Sequence, residues 1–229
     1  MISLLLAAAV CISAAPSRPV VYMCPKVSAP PTVNGLLDDD AWKNAPEVSF
    51  IHSEDGAPVT RQTTAKMCWD DKNLYVSFNS IDPVIWSTMT KRDDALYTED
   101  VVEVFLNPTC DLTHYYEFEF SPKNTILDLS VIYDNLKHSF KGNFPWNCDG
   151  IQSAIDQKAN VGWTTEVAIP FASMNRTTPK PGERWRGNIY RIDYEPKPAE
   201  YQAWSPTLKN PASFHVPERF GTIFFTNAE

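Results

Sequence analysis

The sequence predicts an all-β chain, a two-sheet antiparallel β-sandwich of the jelly-roll or immunoglobulin-like kind with long loops. Three observations carry this. Short segments alternate apolar and polar residues with a period of two, the mark of half-buried strands. Turn formers are abundant, with 19 Pro and 8 Gly in 229 residues, and they punctuate those segments. Helical periodicity is almost absent. Roughly ten to twelve short strands without an internal repeat point to a sandwich, and no break divides residues 20–229 into two domains.

Before that domain, residues 1–15 (MISLLLAAAVCISAA) form an apolar run ending in small residues. The run is too short to span a bilayer and reads as a secretory signal peptide, although no Lys or Arg precedes it. A lipid anchor on Cys11 is disfavoured, because Val10 stands where a small residue is expected. A secreted or periplasmic location follows. The remaining cysteines, Cys24, Cys68, Cys110 and Cys148, permit two disulfides in an exported chain. Cys110 and Cys148 lie in polar loop contexts and are the first expected pair; Cys68, inside a strand pattern, equally suits a buried thiol. Asn175-Arg-Thr177 is a glycosylation sequon.

Val20–Cys24 is the first strand, followed by an Asn-Gly turn and one helical turn over Asp38–Ala45, with acids at its start. Val48–His52 and Thr63–Trp69 are strands separated by a Ser-Glu-Asp-Gly turn. Next comes the stretch around which the chain is arranged, Trp69 to Pro108. In it Leu74, Val76 and Phe78 alternate with polar neighbours, as Val102, Val104 and Leu106 do later. The loop between these strands, at about twenty residues, is far longer than usual, and such loops are commonly functional. It carries Trp86, Lys91, Arg92, Asp93, Asp94 and Tyr97 and is expected to form one wall of a ligand site. Tyr115–Phe120 and Ile126–Tyr133 continue the meander; Lys137–Asp149 reads as loop. Strands at Ile151–Ile155 and Gly162–Pro170, a short helix from Phe171, and strands at Trp185–Tyr194 and Thr222–Thr226 complete the chain.

Composition excludes several function classes. The net charge of −8 offers nothing to neutralise phosphates, so no nucleic-acid partner is expected. No basic cluster suggests a membrane surface, and no membrane span is expected. There is no Gly-x-Ser-x-Gly elbow, no Gly-rich phosphate loop and no metal-ligand spacing among His52, His114, His138 and His215. If Val102 and Val104 face the core, one opposite face carries Glu103, Glu117, Glu119 and, from another strand, Arg191. A carboxylate pair of this kind invites a glycosidase reading, but an acidic domain offers many accidental pairs, and no catalytic residue is assigned. Loop aromatics are more informative: Trp86, Tyr97, Trp146, Trp204, Phe214 and Phe220 sit at loops or strand ends. An aromatic face beside carboxylates and a guanidinium suits a saccharide, although such rings also cap cores.

The pieces TVNGLLDDDAW, WDDKNLYVSF, DPVIW, LYTEDVVEVFLNP, YYEFEFSP, GWTTEVAIPF, RGNIYRIDY and AWSP…FHVPERFG occur in order along the chain. In these it resembles a family 9 carbohydrate-binding module, of the stand-alone family 9-like group related to DOMON domains. The resemblance implies a β-sandwich that binds sugars, often at reducing ends, without hydrolysing them and with structural calcium. It also implies association with extracellular polysaccharide catabolism, alongside glycoside hydrolases acting on the same polymer. Two ring-clamping aromatics fall on Tyr97 and Phe214, where the best-studied modules carry Trp, and the site glutamate falls on Glu103. The site arginine falls near Glu119, a reversal of charge; Arg191 is the candidate replacement cation, and Trp204 a further binding aromatic. Calcium ligands are expected at Asp39 and Asp82. The alternative from another class is haem-binding electron transfer, which some DOMON relatives perform, using Met67 with His138 or His215. A purely structural or interaction module is the remaining alternative.

Overall fold

Two β-sheets meet face to face. The computed structural model describes residues 20–195 and 197–227, so the apolar leader at 1–15 lies outside the described residues. In chain order run β1 (Val21–Pro25), the helical turn α1 (Asp40–Asn44), β2 (Glu47–Ser49), β3 (Ile51–His52), β4 (Thr63–Trp69), β5 (Asn73–Ile81), β6 (Val101–Asn107) and β7 (His114–Phe120). Then follow β8 (Ile126–Asp134), β9 (Ser139–Asn143), β10 (Gln152–Lys158), β11 (Gly162–Pro170), β12 (Arg184–Asp193), β13 (Glu200–Ala203) and β14 (Gly221–Thr226). Short 3-10 turns occupy Leu96–Thr98, Phe171–Met174 and Pro217–Arg219.

The larger sheet has nine strands, in the order β1-β14-β12-β6-β7-β8-β9, with β13 added on β12 and β3 on β13. The smaller has five, in the order β10-β11-β5-β4-β2. β1 runs parallel to β14; the other named pairings are antiparallel. No helix among the described residues is long and apolar enough to cross a membrane.

The alternation in sequence sets which side chains each core receives. Val102, Val104 and Leu106 of β6 join Tyr116, Phe118 and Phe120 of β7 between the sheets, against Met67, Val76, Phe78 and Val167 of the smaller sheet. Their strand neighbours point the other way. Val101, Phe105, Tyr115 and Tyr190 form a second cluster on the outer face of the larger sheet, with Leu96, Phe214 and Phe220. All seven residues of β6 are therefore buried, with apolar clusters packed on both faces of the strand. Burial of this kind is the main favourable contribution to folding, about 1.5–3 kcal/mol per large apolar side chain.

Three expectations need correction. β9 forms inside the stretch read as loop, and β13 was not anticipated. The expected Cys110–Cys148 bridge is not formed: all four described cysteines are free. The two expected to pair have local oxygen partners instead. Cys110 Sγ lies 3.5 Å from the Arg184 carbonyl, and Cys148 Sγ lies 2.9 Å from Ser173 Oγ, with burial pushing its thiol up to about 12.

Candidate functional site: an aromatic pocket with a carboxylate floor

The outer face of the larger sheet is not completely covered. A pocket of about 450 Å³ opens over β6, β7, β8 and β12. Its floor follows from register. Glu103 of β6 pairs directly with Glu119 of β7, and Glu117 lies two residues along on the same face. Oxygen atoms of the three carboxylates lie within 4.8 Å of one another. All three residues are buried, and Oε2 of Glu117 and of Glu119 lack a hydrogen-bond partner among the described residues.

Burial dominates the electrostatics of this floor. It pushes the Glu103 carboxyl well above the ordinary range, and the Glu117 charge adds to the rise. Glu117 is raised by burial to about 7. Glu119 rises by burial first and then by repulsion from Glu103 and Glu117, against the Tyr97 backbone amide, which donates to it. Proximity of His215 does not neutralise them. Its Nδ1 is 3.9 Å from Glu117, but burial lowers the imidazole to about 3, so it is uncharged at neutral pH, hydrogen-bonded to Tyr115 at 2.7 Å.

Aromatic residues make the walls. Tyr97, from the 3-10 turn at Leu96–Thr98, is 48% exposed at the rim. Phe214 also lines the pocket, buried and stacked on Tyr190 with ring centroids 4.1 Å apart. Phe140 and Phe144, on β9 and just beyond it, bound the pocket, and Phe140 stacks on His215. Gly142 lets β9 lie close: a Cβ there would meet Leu129 Cδ1 at 2.5 Å.

The structure thus gathers Tyr97, Glu103 and Phe214 into one pocket and leaves the other predicted site residues outside it. Arg191 pairs with Val102 across β12 and β6, so it shares the face of Val102 and lies between the sheets. There its guanidinium is fully buried, 3.0 Å from Asp82 and 2.9 Å from Asp193. Trp204 is also in the inter-sheet core, edge-on to Tyr22 at 6.1 Å and over Gly221, where a Cβ would meet its ring at 2.5 Å. The long 82–100 loop contributes only its end to the pocket. Its Arg92 is paired with Asp128 and Asn147, and Trp86 packs on Tyr194. Trp146 packs on Tyr116 and Phe118 in the inter-sheet core, and Phe220 on Phe105 and Tyr115 in the outer cluster.

The residues expected to hold calcium do not fit it. Asp82, Asp100 and Asp193 converge within 4.8 Å, but Arg191 bridges two of them, Arg61 bonds Asp193, and Asp100 accepts the Trp86 and Tyr194 amides. A covalently attached guanidinium holds the cation position of that cluster. Asp39 belongs to no such group among the described residues; it accepts the Thr32 amide at 2.9 Å. The Asn-Gly turn beside it is held by Glu166, which sequence reasoning missed. Its carboxylate accepts the Asn34 and Gly35 amides at 2.8 and 2.7 Å and the Trp42 indole at 2.6 Å. Met67 lies between the sheets while His215 lines the outer pocket, so that pair cannot share an iron. His138 bonds Tyr133 on the β8–β9 hairpin, likewise apart from Met67.

Comparison with known proteins follows the same architecture. The profile of the family "carbohydrate family 9 binding domain-like" matches residues 33–228. An "extracellular protein" of Arthroderma benhamiae is 31% identical over 179 residues, 72% of this chain and 78% of that one. The endo-1,4-beta-xylanase A of Thermoanaerobacterium saccharolyticum is 36% identical over 147 residues, 63% of this chain but 11% of the enzyme. Among solved structures, a family 9 carbohydrate-binding module of Caldicellulosiruptor kristjanssonii in complex with cellotriose superposes with a TM-score of 0.62 at 19% identity, covering 91% of this chain and 95% of the module. A candidate carbohydrate-binding protein of Bacteroides uniformis gives a TM-score of 0.74 at 14% identity, covering 90% and 99%. At those identities the two structures speak to the fold alone.

Proposed function

The chain belongs to the carbohydrate family 9 binding domain-like family, and from that premise we propose that it binds saccharide in the outer pocket without catalysing a reaction. The observation that carries this reading is the combination of exposed aromatic walls and a buried polar floor in one 450 Å³ pocket. Sugar C–H faces pack on aromatic rings, while hydroxyls require fixed polar partners. Tyr97 supplies an open ring face; Phe214, backed by Tyr190, supplies a rigid one. Glu103 and its neighbours offer acceptors, or donors where protonated.

A role outside the cell, beside enzymes that cut the same polysaccharide, is part of the proposal. It is supported by the extracellular relative and by the match to one segment of a xylanase, of whose length the chain spans only 11%. Calorimetric titration with glucose, cellobiose, xylobiose and a sugar of reduced chain end tests the reading. Saturable binding is expected, and Tyr97→Ala should weaken it about tenfold, the scale of one aromatic contact, without altering the thermal melt. Silence from every glycan would overturn it.

A further inference from the structure

Buried carboxylates elsewhere in this fold are each given a cation or N–H donors. Asp82 and Asp193 share Arg191; Asp128 has Arg92 and the Cys148 amide. Glu166 has three N–H donors, Asp100 two amides, Glu99 the Thr88 and Met89 amides, and Glu200 those of Thr60 and Arg61. The pocket floor is the exception. Three carboxyls there share one amide donor, from Tyr97, and otherwise only the hydrogen bond that Glu119 gives Glu117. No Lys or Arg lines the pocket among the described residues, and two of the oxygens are unpartnered. Buried carboxyls without a counter-charge are driven to their neutral forms because the ionised ones are expensive to maintain, so the arrangement points to a positive group arriving from outside that would let them ionise.

We propose that the pocket takes an amino sugar, its ammonium seated between Glu103, Glu117 and Glu119 and its ring against Tyr97 and Phe214. This rests on the preceding reading of the pocket as a saccharide site and assigns its substrate class. Three oxygens within 4.8 Å of one another fit within a circle of radius about 2.8 Å, the length of a charge-assisted N–H···O bond. A nitrogen near its centre can thus donate to all three. An ammonium has three hydrogens to give and the floor has three acceptors. The raised carboxyls fit the same picture: a cation bound among them favours their ionised forms and releases protons on binding.

The test is calorimetric titration at about pH 6.5, where a sugar amine is protonated. The probes are glucosamine, its β-1,4-linked dimer, N-acetylglucosamine, cellobiose and calcium chloride. The glucosamine dimer is expected to bind at least about tenfold tighter than cellobiose, the scale of a hydrogen bond to a charged group. Glucosamine should likewise exceed N-acetylglucosamine, which keeps the nitrogen but not its charge. Glu117→Gln and Glu119→Gln should each lower the amino sugar's affinity about tenfold and bring its ratio to the affinity for cellobiose down toward one. Equal binding of neutral and amino sugars would overturn this proposal and leave the saccharide reading intact; no binding of any sugar would remove both. Saturable calcium binding lost in both variants would assign the carboxylates to a divalent cation and overturn it. Should a variant fail to fold, the wild-type ratio of amino to neutral sugar decides alone.

Discussion

At the scale of single residues, the side chains that matter most are polar groups in apolar surroundings, and their protonation is measurable. Glu117 has its folded pKa raised to about 7 by burial, above an unfolded value near 4.3. The folded state therefore binds more protons between those values, and the stabilisation this confers is full below about pH 4.3 and lost as pH rises through 7. Asp100, also raised to about 7 by burial, acts in the same direction. His215, held neutral down to about 3 by burial, opposes both below pH 6.5, because only the unfolded chain gains its proton. Substituting Glu117→Gln removes its own contribution and eases the rise that its charge imposes on Glu103 and Glu119. The variant should gain melting temperature relative to wild type at pH 8 and lose that advantage by pH 5; equal differences at both pH values would contradict the assigned burial effect. Glu103 was legible in the sequence because the apolar alternation of its strand fixes its face. Glu117 and Glu119 were read onto that face too, but their burial was not, since periodicity does not reveal what lies over a sheet. Arg191 was misplaced for a related reason. A one-residue change of register exchanges the two faces of a strand, and only the pairing with Val102 shows which face it takes.

Among elements, β6 and β9 mark the two ends of what a pattern can tell. β6 reads as a strand from its Val, Phe and Leu content and is buried throughout. β9, SFKGN, is almost wholly exposed, has no apolar alternation and contains Lys and Gly, so composition gave a loop. It exists because β8 offers an unpaired edge, with Tyr133 opposite Phe140 and Val131 opposite Gly142. It brings Phe140 and, just beyond it, Phe144 to the pocket. Phe144 is 50% exposed, so Phe144→Ala should change folding stability by less than about 0.5 kcal/mol while weakening saccharide binding severalfold in the same titrations. A melt lowered by several degrees with binding retained would instead make Phe144 a structural prop. Gly142→Val tests the element as a whole. The added atoms collide with Leu129, β9 must lift, and binding should fall further than for Phe144→Ala.

Across the whole molecule, the sandwich was legible from strand count and spacing, whereas the ties between its layers were not, because they join residues more than a hundred positions apart. The clearest is Arg191. From the larger sheet it donates to the Ile81 carbonyl at 2.8 Å and to Thr63 Oγ1 at 3.2 Å on the smaller one, while pairing with Asp82 and Asp193. It therefore fastens the sheets beneath the pocket and supplies the charge that makes two buried aspartates tolerable. Replacing such a pair by apolar residues of similar volume is often neutral, but removing one partner leaves the rest uncompensated, at about 3–5 kcal/mol. Arg191→Met should accordingly lower the urea-unfolding free energy by about that amount. Adding Asp82→Asn and Asp193→Asn to it should recover a large part of the loss, because the unpaired charges then go. If the triple variant is no more stable than the single one, the guanidinium contributes through its hydrogen bonds and packing rather than through charge. In either case the effect on saccharide affinity should be small at temperatures where the variants remain folded, because Arg191 faces away from the pocket that the opposite side of the same strand helps to build.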